Sequence, residues 1–283
     1  MSQEEPLPEA ADEDDPDARV AELGSIAEGH VARPEAIRRL RALSADPEPG
    51  VRAHAARASA DYLDDEELAG RVLALAGPDE PPLVRAAALE ALGAVLRAGD
   101  LAGAWAPGYA PEPQAGEPAA ELVQRALEAV RAAFAGDEPQ ARLGALPGLA
   151  ACRGHEPAVE AAIEAAWAAP DLTERALAVR CMGRTGAAAR WGAQVRRALD
   201  AREPEVRLAA VEAAGAAELR EALPRLLELL QAEREPEPLR VAAAGALAAF
   251  GAAGAAALLA RAEEDPLEEV RDAARAALAE LTG

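Results

Sequence analysis

The chain has no lysine and no asparagine, and its three isoleucines are Ile26, Ile37 and Ile163. Residues of AT-rich codons are missing while Ala, Gly, Pro and Arg abound, the signature of a GC-rich bacterial genome. The chemical consequence is independent of that origin. Without lysine there is no Walker A phosphate loop, no Schiff base and no kinase-type phosphate lysine. Cysteine is nearly absent too: Cys152 and Cys181 are too few for a disulfide framework, so the cytoplasm is the expected compartment. Positive charge is short, with 29 basic residues against 50 acidic ones and a net charge of −21. Nucleic-acid affinity depends on cations that neutralise phosphates, so nucleic acid is excluded as a partner, and anionic membrane surfaces with it.

The sequence lacks any run that alternates with period two, which excludes strands. The N-terminus has no basic region followed by an apolar core, so no secretory signal is expected. One uncharged run, Val241 to Ala260, is long enough to cross a bilayer. It is mostly Ala and Gly, is broken by "GAAG" at 251–254, and keeps the register of the repeat described next, so no membrane span is expected. Residues 1–17, "MSQEEPLPEAADEDDPD", hold eight carboxylates and no base, and read as an acidic disordered tail.

What remains is a repeat. Stretches such as "DEPPLVRAAALEALG", "REPEVRLAAVEAAG" and "DPLEEVRDAARAALA" align on Arg52, Arg85, Arg142, Arg175, Arg207, Arg240 and Arg271. Successive spacings are 33, 57, 33, 32, 33 and 31, so one interval is longer and the rest agree. Arg19 lies another 33 before Arg52 and begins a degenerate N-terminal cap. Three residues past each arginine comes an alanine: Ala55, Ala88, Ala145, Ala178, Ala210, Ala243 and Ala274. Six past it comes Ala58, Ala91, Gly148, Cys181, Ala213, Ala246 or Ala277. These positions share one side of a helix, so that side is buried and its small residues let neighbouring helices approach closely. The Pro-rich, acidic lead-in before each arginine suits a helix start. Between these helices lies a second set, including "DEELAGRVLALA", for which Asp64 and Glu67 form a capping box. The expectation is seven antiparallel helix pairs with a partial unit in front.

The pattern D-P-x-x-x-V-R-x-x-A-x-x-A-L-G, clearest at 79–93 and 265–279, resembles HEAT repeats of the short type named for phycobilisome lyases. The resemblance covers residues 18–283 and implies an all-α fold, a right-handed superhelical α-solenoid of about seven helix pairs. It also implies a ladder between adjacent repeats, in which a lead-in acid meets the arginine. Asp46, Asp79 and Asp265 match the acid's position, while repeats three to six place their acid nearer the arginine or lack it.

The ladder arginines are read as structural, each placed at the edge of the apolar side to bond a neighbour's carboxylate or loop carbonyl. "CRGHEP" offers Cys152 and His155, but a zinc site wants four ligands, and Cys181, His30 and His54 fall on distant units. His155-Glu156 is similar to the His-Glu pairs of deoxyhypusine hydroxylase, a HEAT-repeat di-iron enzyme with several such pairs. One pair leaves iron without ligands, so no metal and no cofactor is expected. Three histidines, four serines and no lysine make a catalytic constellation hard to assemble, and no catalytic residue is assigned.

Five past each arginine lies the far side of the helix, which the resemblance turns toward a concave surface. There stand Arg57, Glu90, Pro147, Arg180, Glu212, Gly245 and Ala276, mixed in charge at first and bare at the end. Pro147 is expected to kink or restart its helix. The long interval holds "LAGAWAPGYAPEPQAGEP" at 101–118, a loop inserted into one unit, whose Trp105 and Tyr109 either anchor a partner or hold the loop down. The expected function is a non-catalytic, cytoplasmic, monomeric scaffold or adaptor for a protein partner, with Arg57, Glu90, Arg180, Glu212, Trp105 and Tyr109 as its contact residues. The family resemblance supplies the alternative, a bilin lyase or tetrapyrrole-handling protein.

Overall fold

The computed structural model describes residues 15–27, 29–101, 120–153 and 156–282. Among them every regular element is helical. The chain divides into two compact units, Met1–Gly148 and Leu149–Gly283, and the division falls inside one helix rather than at the 101–118 stretch.

The first unit comprises α1 (Pro16–Ala27), α2 (Arg33–Leu43), α3 (Pro49–Ala58), α4 (Glu66–Leu75), α5 (Pro82–Leu101), α6 (Ala120–Ala135) and most of α7 (Pro139–Arg153). The second holds the end of α7, then α8 (Pro157–Ala168), α9 (Leu172–Arg184), α10 (Ala188–Ala198), α11 (Pro204–Ala216), α12 (Leu223–Gln231), α13 (Glu237–Ala248), α14 (Ala252–Glu264) and α15 (Glu268–Thr282). The odd-numbered helices from α3 onward carry the aligned arginines. The unit in front contributes α1 and α2, and α1 begins inside the stretch read as a tail; at the other end α15 packs on α13 and α14.

Helix starts follow the lead-in chemistry. Proline opens α3, α5, α7, α8 and α11, where its missing N–H costs nothing because no intrahelical acceptor exists there. At α4 the cap is Asp65, not Asp64: its Oδ1 accepts the Leu68 N–H at 2.9 Å. Asp64 is turned outward onto Arg33 instead. Burial works to raise the Asp65 carboxyl, but hydrogen bonds from Arg41 and the Leu68 N–H outweigh it and hold the group below its ordinary value. Asp171 caps α9 in the same way, accepting from Glu174 N–H at 2.9 Å.

The alanines three past each arginine are all 0% exposed. They form the core on which the helices of each unit stack. Glycine tightens this contact. A Cβ on Gly183 would lie 2.6 Å from Ala213 Cα, one on Gly215 2.9 Å from Ala246 Cα, and one on Gly148 2.9 Å from Gly93 Cα. In each case position eight of one repeat meets position six of the next. Close approach of backbones is the packing rule of the array.

The run Val241 to Ala260 is two helices, α13 and α14, turned at Gly251, whose φ of 55° is a left-handed value that favours glycine. Among the described residues no helix is long and apolar enough to cross a membrane. Helix α7 runs through Pro147 without a break, so the expected restart does not occur.

Candidate protein-binding face

Six arginines reach forward to a carboxylate of the next repeat. Arg19 meets Asp46 at 2.9 Å, Arg52 meets Glu80 at 2.8 Å, Arg85 meets Glu138 at 2.6 Å, Arg175 meets Glu203 at 3.2 Å and Arg207 meets Glu235 at 2.8 Å. Arg240 meets Asp265, with both side chains 0% exposed. Asp79 is therefore not the acid of its rung. It stays exposed while its neighbour Glu80 turns in, because the α4–α5 turn points only one of two adjacent side chains at Arg52.

The rungs that end on repeats three, five and six, where the acid sits nearer the arginine, form with Glu138, Glu203 and Glu235. Glu203 is held below the usual carboxylate range by its own backbone N–H, against the opposing effect of burial and with help from Arg175. Arg142 departs from the pattern. It is exposed, with its guanidinium 5.9 Å from the centre of the Phe134 ring. The same guanidiniums also tie their own lead-ins: Arg52 Nη1 donates to the carbonyls of Asp46 and Pro47 at 2.8 and 3.0 Å, and Arg271 Nη1 to those of Asp265 and Pro266 at 2.7 and 3.3 Å. Apart from Arg142, the ladder charges described above are thus occupied within the fold.

The row five past each arginine faces outward. Arg57, Glu90, Glu212, Gly245 and Ala276 are exposed and Arg180 is half-buried. Pro147 alone is buried. Within the first unit Arg57 on α3 bonds Glu90 on α5 at 3.2 Å, and within the second Arg180 on α9 bonds Glu212 on α11 at 2.6 Å. The row beyond Glu212 carries no charge, and there the structure opens a shallow cleft of about 550 Å³ between α11 and α13. Its lining includes Gly215, Ala242, Gly245, Ala246 and Ala249, with Glu212 at its edge. Sequence reasoning named Glu212 and Gly245 but missed the cleft. The signal was present: the residue eight past each arginine is always Ala or Gly.

Trp105, Tyr109 and His155 lie outside the described residues. Cys181 is buried and Cys152 half-buried. His54 Nδ1 is 2.9 Å from the Gly50 carbonyl of its own helix. Among the described residues no three His, Cys, Asp or Glu side chains converge as a metal site would require.

Solved structures resemble the chain along nearly its whole length. The complex of CpcE and CpcF of phycocyanin lyase from Nostoc sp. PCC7120 aligns with a TM-score of 0.54 at 15% identity, over 99% of this chain and 100% of that one. Human deoxyhypusine hydroxylase aligns with a TM-score of 0.43 at 19% identity, over 94% and 97%. Kap95p, in a structure with RanGDP, aligns with a TM-score of 0.40 at 17% identity, over 96% of this chain and 40% of that one. At such identities a likeness shows the fold alone. No curated protein sequence matches. The family model for HEAT repeats matches residues 4–93 and 192–279, more than half of the chain. With the α-solenoid class of its helix pairs and the repeated arginine-to-acid rungs, this places the chain in the HEAT-repeat family.

Proposed function

We propose that the chain is a non-catalytic scaffold or adaptor, acting as a cytoplasmic monomer, that binds a protein partner along the outward row of its arginine-bearing helices. One observation carries this reading. Six ladder arginines are bonded inside the fold, whereas the position five residues on presents Arg57 and Glu90 to solvent in the first unit, and Glu212 and Gly245 beside half-buried Arg180 in the second. Within each unit, side chains repeated at one helical position make a surface suited to a polypeptide.

The test is affinity capture from the native host with the full chain, an Arg57→Ala/Glu90→Ala variant and an Arg180→Ala/Glu212→Ala variant. Both exposed pairs contribute little to stability, so the variants keep the wild-type helical signal. The reading expects a captured protein that is lost or depleted with either variant. Capture of the same proteins at equal strength by all three would sink it. A fourth chain without residues 101–118 separates the two roles of Trp105 and Tyr109: equal capture makes them architectural, reduced capture makes them anchors.

A further inference from the structure

We infer that Arg142 is a docking point for an extended acid-proline dipeptide of the protein partner, its guanidinium taking a carboxylate that the ladder does not supply. This rests on the protein-binding reading above and adds one contact off the outward row, with a stated chemistry. That chemistry is present in the ladder itself. Each of the six carboxylates that close a rung belongs to a residue followed directly by proline, as in Glu138-Pro139 and Glu203-Pro204. Proline keeps the residue before it out of the helical region. Glu203 and Asp265 are accordingly extended, at φ −82°, ψ 120° and at φ −65°, ψ 136°. Where the sequence would offer the same dipeptide to Arg142 it has Ala169-Pro170, with the proline kept and the acid gone.

Arg142 is left available as a result. It is exposed, whereas every other aligned arginine is half-buried or buried. Among the described residues it bonds neither a carboxylate nor a carbonyl. Arg271, which also has no forward acid, differs in being tied to the Asp265 carbonyl of its own lead-in at 2.7 Å. The neighbour of Arg142 is Phe134 on α6, a half-buried ring whose centre lies 5.9 Å from the guanidinium. That contact steadies the cation without neutralising it. It also sets an apolar surface beside the charge, where a proline ring can rest. An arginine against an aromatic ring is the pairing that anchors interfaces, and a carboxylate is the group whose shape matches the guanidinium fork.

The probe is the peptide acetyl-Gly-Ser-Glu-Pro-Leu-Gly-amide, titrated into the full chain carrying isotope-labelled arginine, at about 0.15 M salt. The Nε–H resonance of Arg142 is identified by its loss in Arg142→Lys. Two control peptides replace the glutamate by glutamine or the proline by alanine. The proposal expects the Arg142 resonance to move saturably with the Glu-Pro peptide, with a Kd of about 1 mM. It expects binding about tenfold weaker for Gln-Pro and about threefold weaker for Glu-Ala, and about threefold weaker again for Glu-Pro with Phe134→Leu. The resonances of Arg196 and Arg197, exposed on α10, should move no more with Glu-Pro than with Gln-Pro.

An Arg142 resonance that stays in place, or moves equally with Glu-Pro and Gln-Pro, overturns the proposal, because no carboxylate is then read there. Shifts of Arg196 and Arg197 as large as that of Arg142 overturn it as well, since general attraction to exposed cations then explains the response. A host partner lost with Arg57→Ala/Glu90→Ala but held at full strength by Arg142→Ala, with no response to the Glu-Pro peptide, refutes the docking point and keeps the broader reading. A Glu-Pro peptide bound at Arg142, with no host protein held by the outward row, does the reverse.

Discussion

Gly183→Ala adds one methyl group where the structure has no room for it. The new Cβ would stand 2.6 Å from Ala213 Cα, 2.7 Å from its carbonyl oxygen and 2.8 Å from its Cβ. Ordinary contact is about 3.5–4.0 Å, and two of the three opposing atoms are backbone. Helices α9 and α11 must therefore separate by something near 1 Å, or α9 must bend away. Overpacking of this kind costs about 1–3 kcal/mol. Against it stands the gain of about 0.5–1 kcal/mol for replacing a helical glycine by alanine. Gly245→Ala isolates the packing term, since it makes the same replacement inside α13 with nothing within 4 Å. The propensity gain largely cancels between the two variants. Gly245→Ala should raise stability by about 0.5–1 kcal/mol, and Gly183→Ala should fall below it by about 1–3 kcal/mol. Urea unfolding followed by circular dichroism measures both on the same scale. Gly183→Ala matching Gly245→Ala would refute the argument that α9 and α11 meet backbone to backbone. Ala213→Gly added to Gly183→Ala should recover only part of the loss, because it removes one of the three clashing atoms.

Asp265→Asn leaves the Arg240 guanidinium fully buried without its counter-charge, with Arg261 as a second cation 3.7 Å from the same carboxylate. A loss of about 3–5 kcal/mol is expected in urea unfolding, whereas Glu80→Gln in a partly exposed rung should lose about 1 kcal/mol or less. Similar losses at the two sites would contradict this ranking. Asp65 tests pH. Its carboxyl is held below its unfolded value, so its contribution is fully present above about pH 4 and is lost as pH falls through the lowered value. Asp65→Asn should flatten the acid limb of the stability profile, and an unchanged limb would remove Asp65 from the account.

Much of the packing was written in the sequence because it depends on helical periodicity alone. Seven alanines at one offset from seven arginines predict one buried side, and all seven are fully buried. Position eight carries the same information and went unread, although Gly93, Gly183 and Gly215 stand there. Periodicity could not choose between adjacent acids. Asp79 and Glu80 differ by one residue in a turn, as do Asp64 and Asp65, and in both cases the second reaches the partner. That choice depends on loop dihedrals, which have no period. The division after Gly148 left no mark in the repeat register either. At the candidate site the row was legible as positions, but the rungs Arg57 to Glu90 and Arg180 to Glu212 and the cleft beyond them needed the stacking of helices.

The ladder has a direction. In every rung described above, one repeat offers a guanidinium to the one that follows and receives it on a carboxylate there, so the two edges of a repeat are unlike and complementary. Repeats so built are interchangeable cassettes. Removing the 33 residues from Arg207 to Leu239 would bring Arg240 to the place of Arg207, behind Glu203 and ahead of Asp265, with every donor still matched to an acceptor. The array can therefore gain or lose length by whole periods without inventing a new interface.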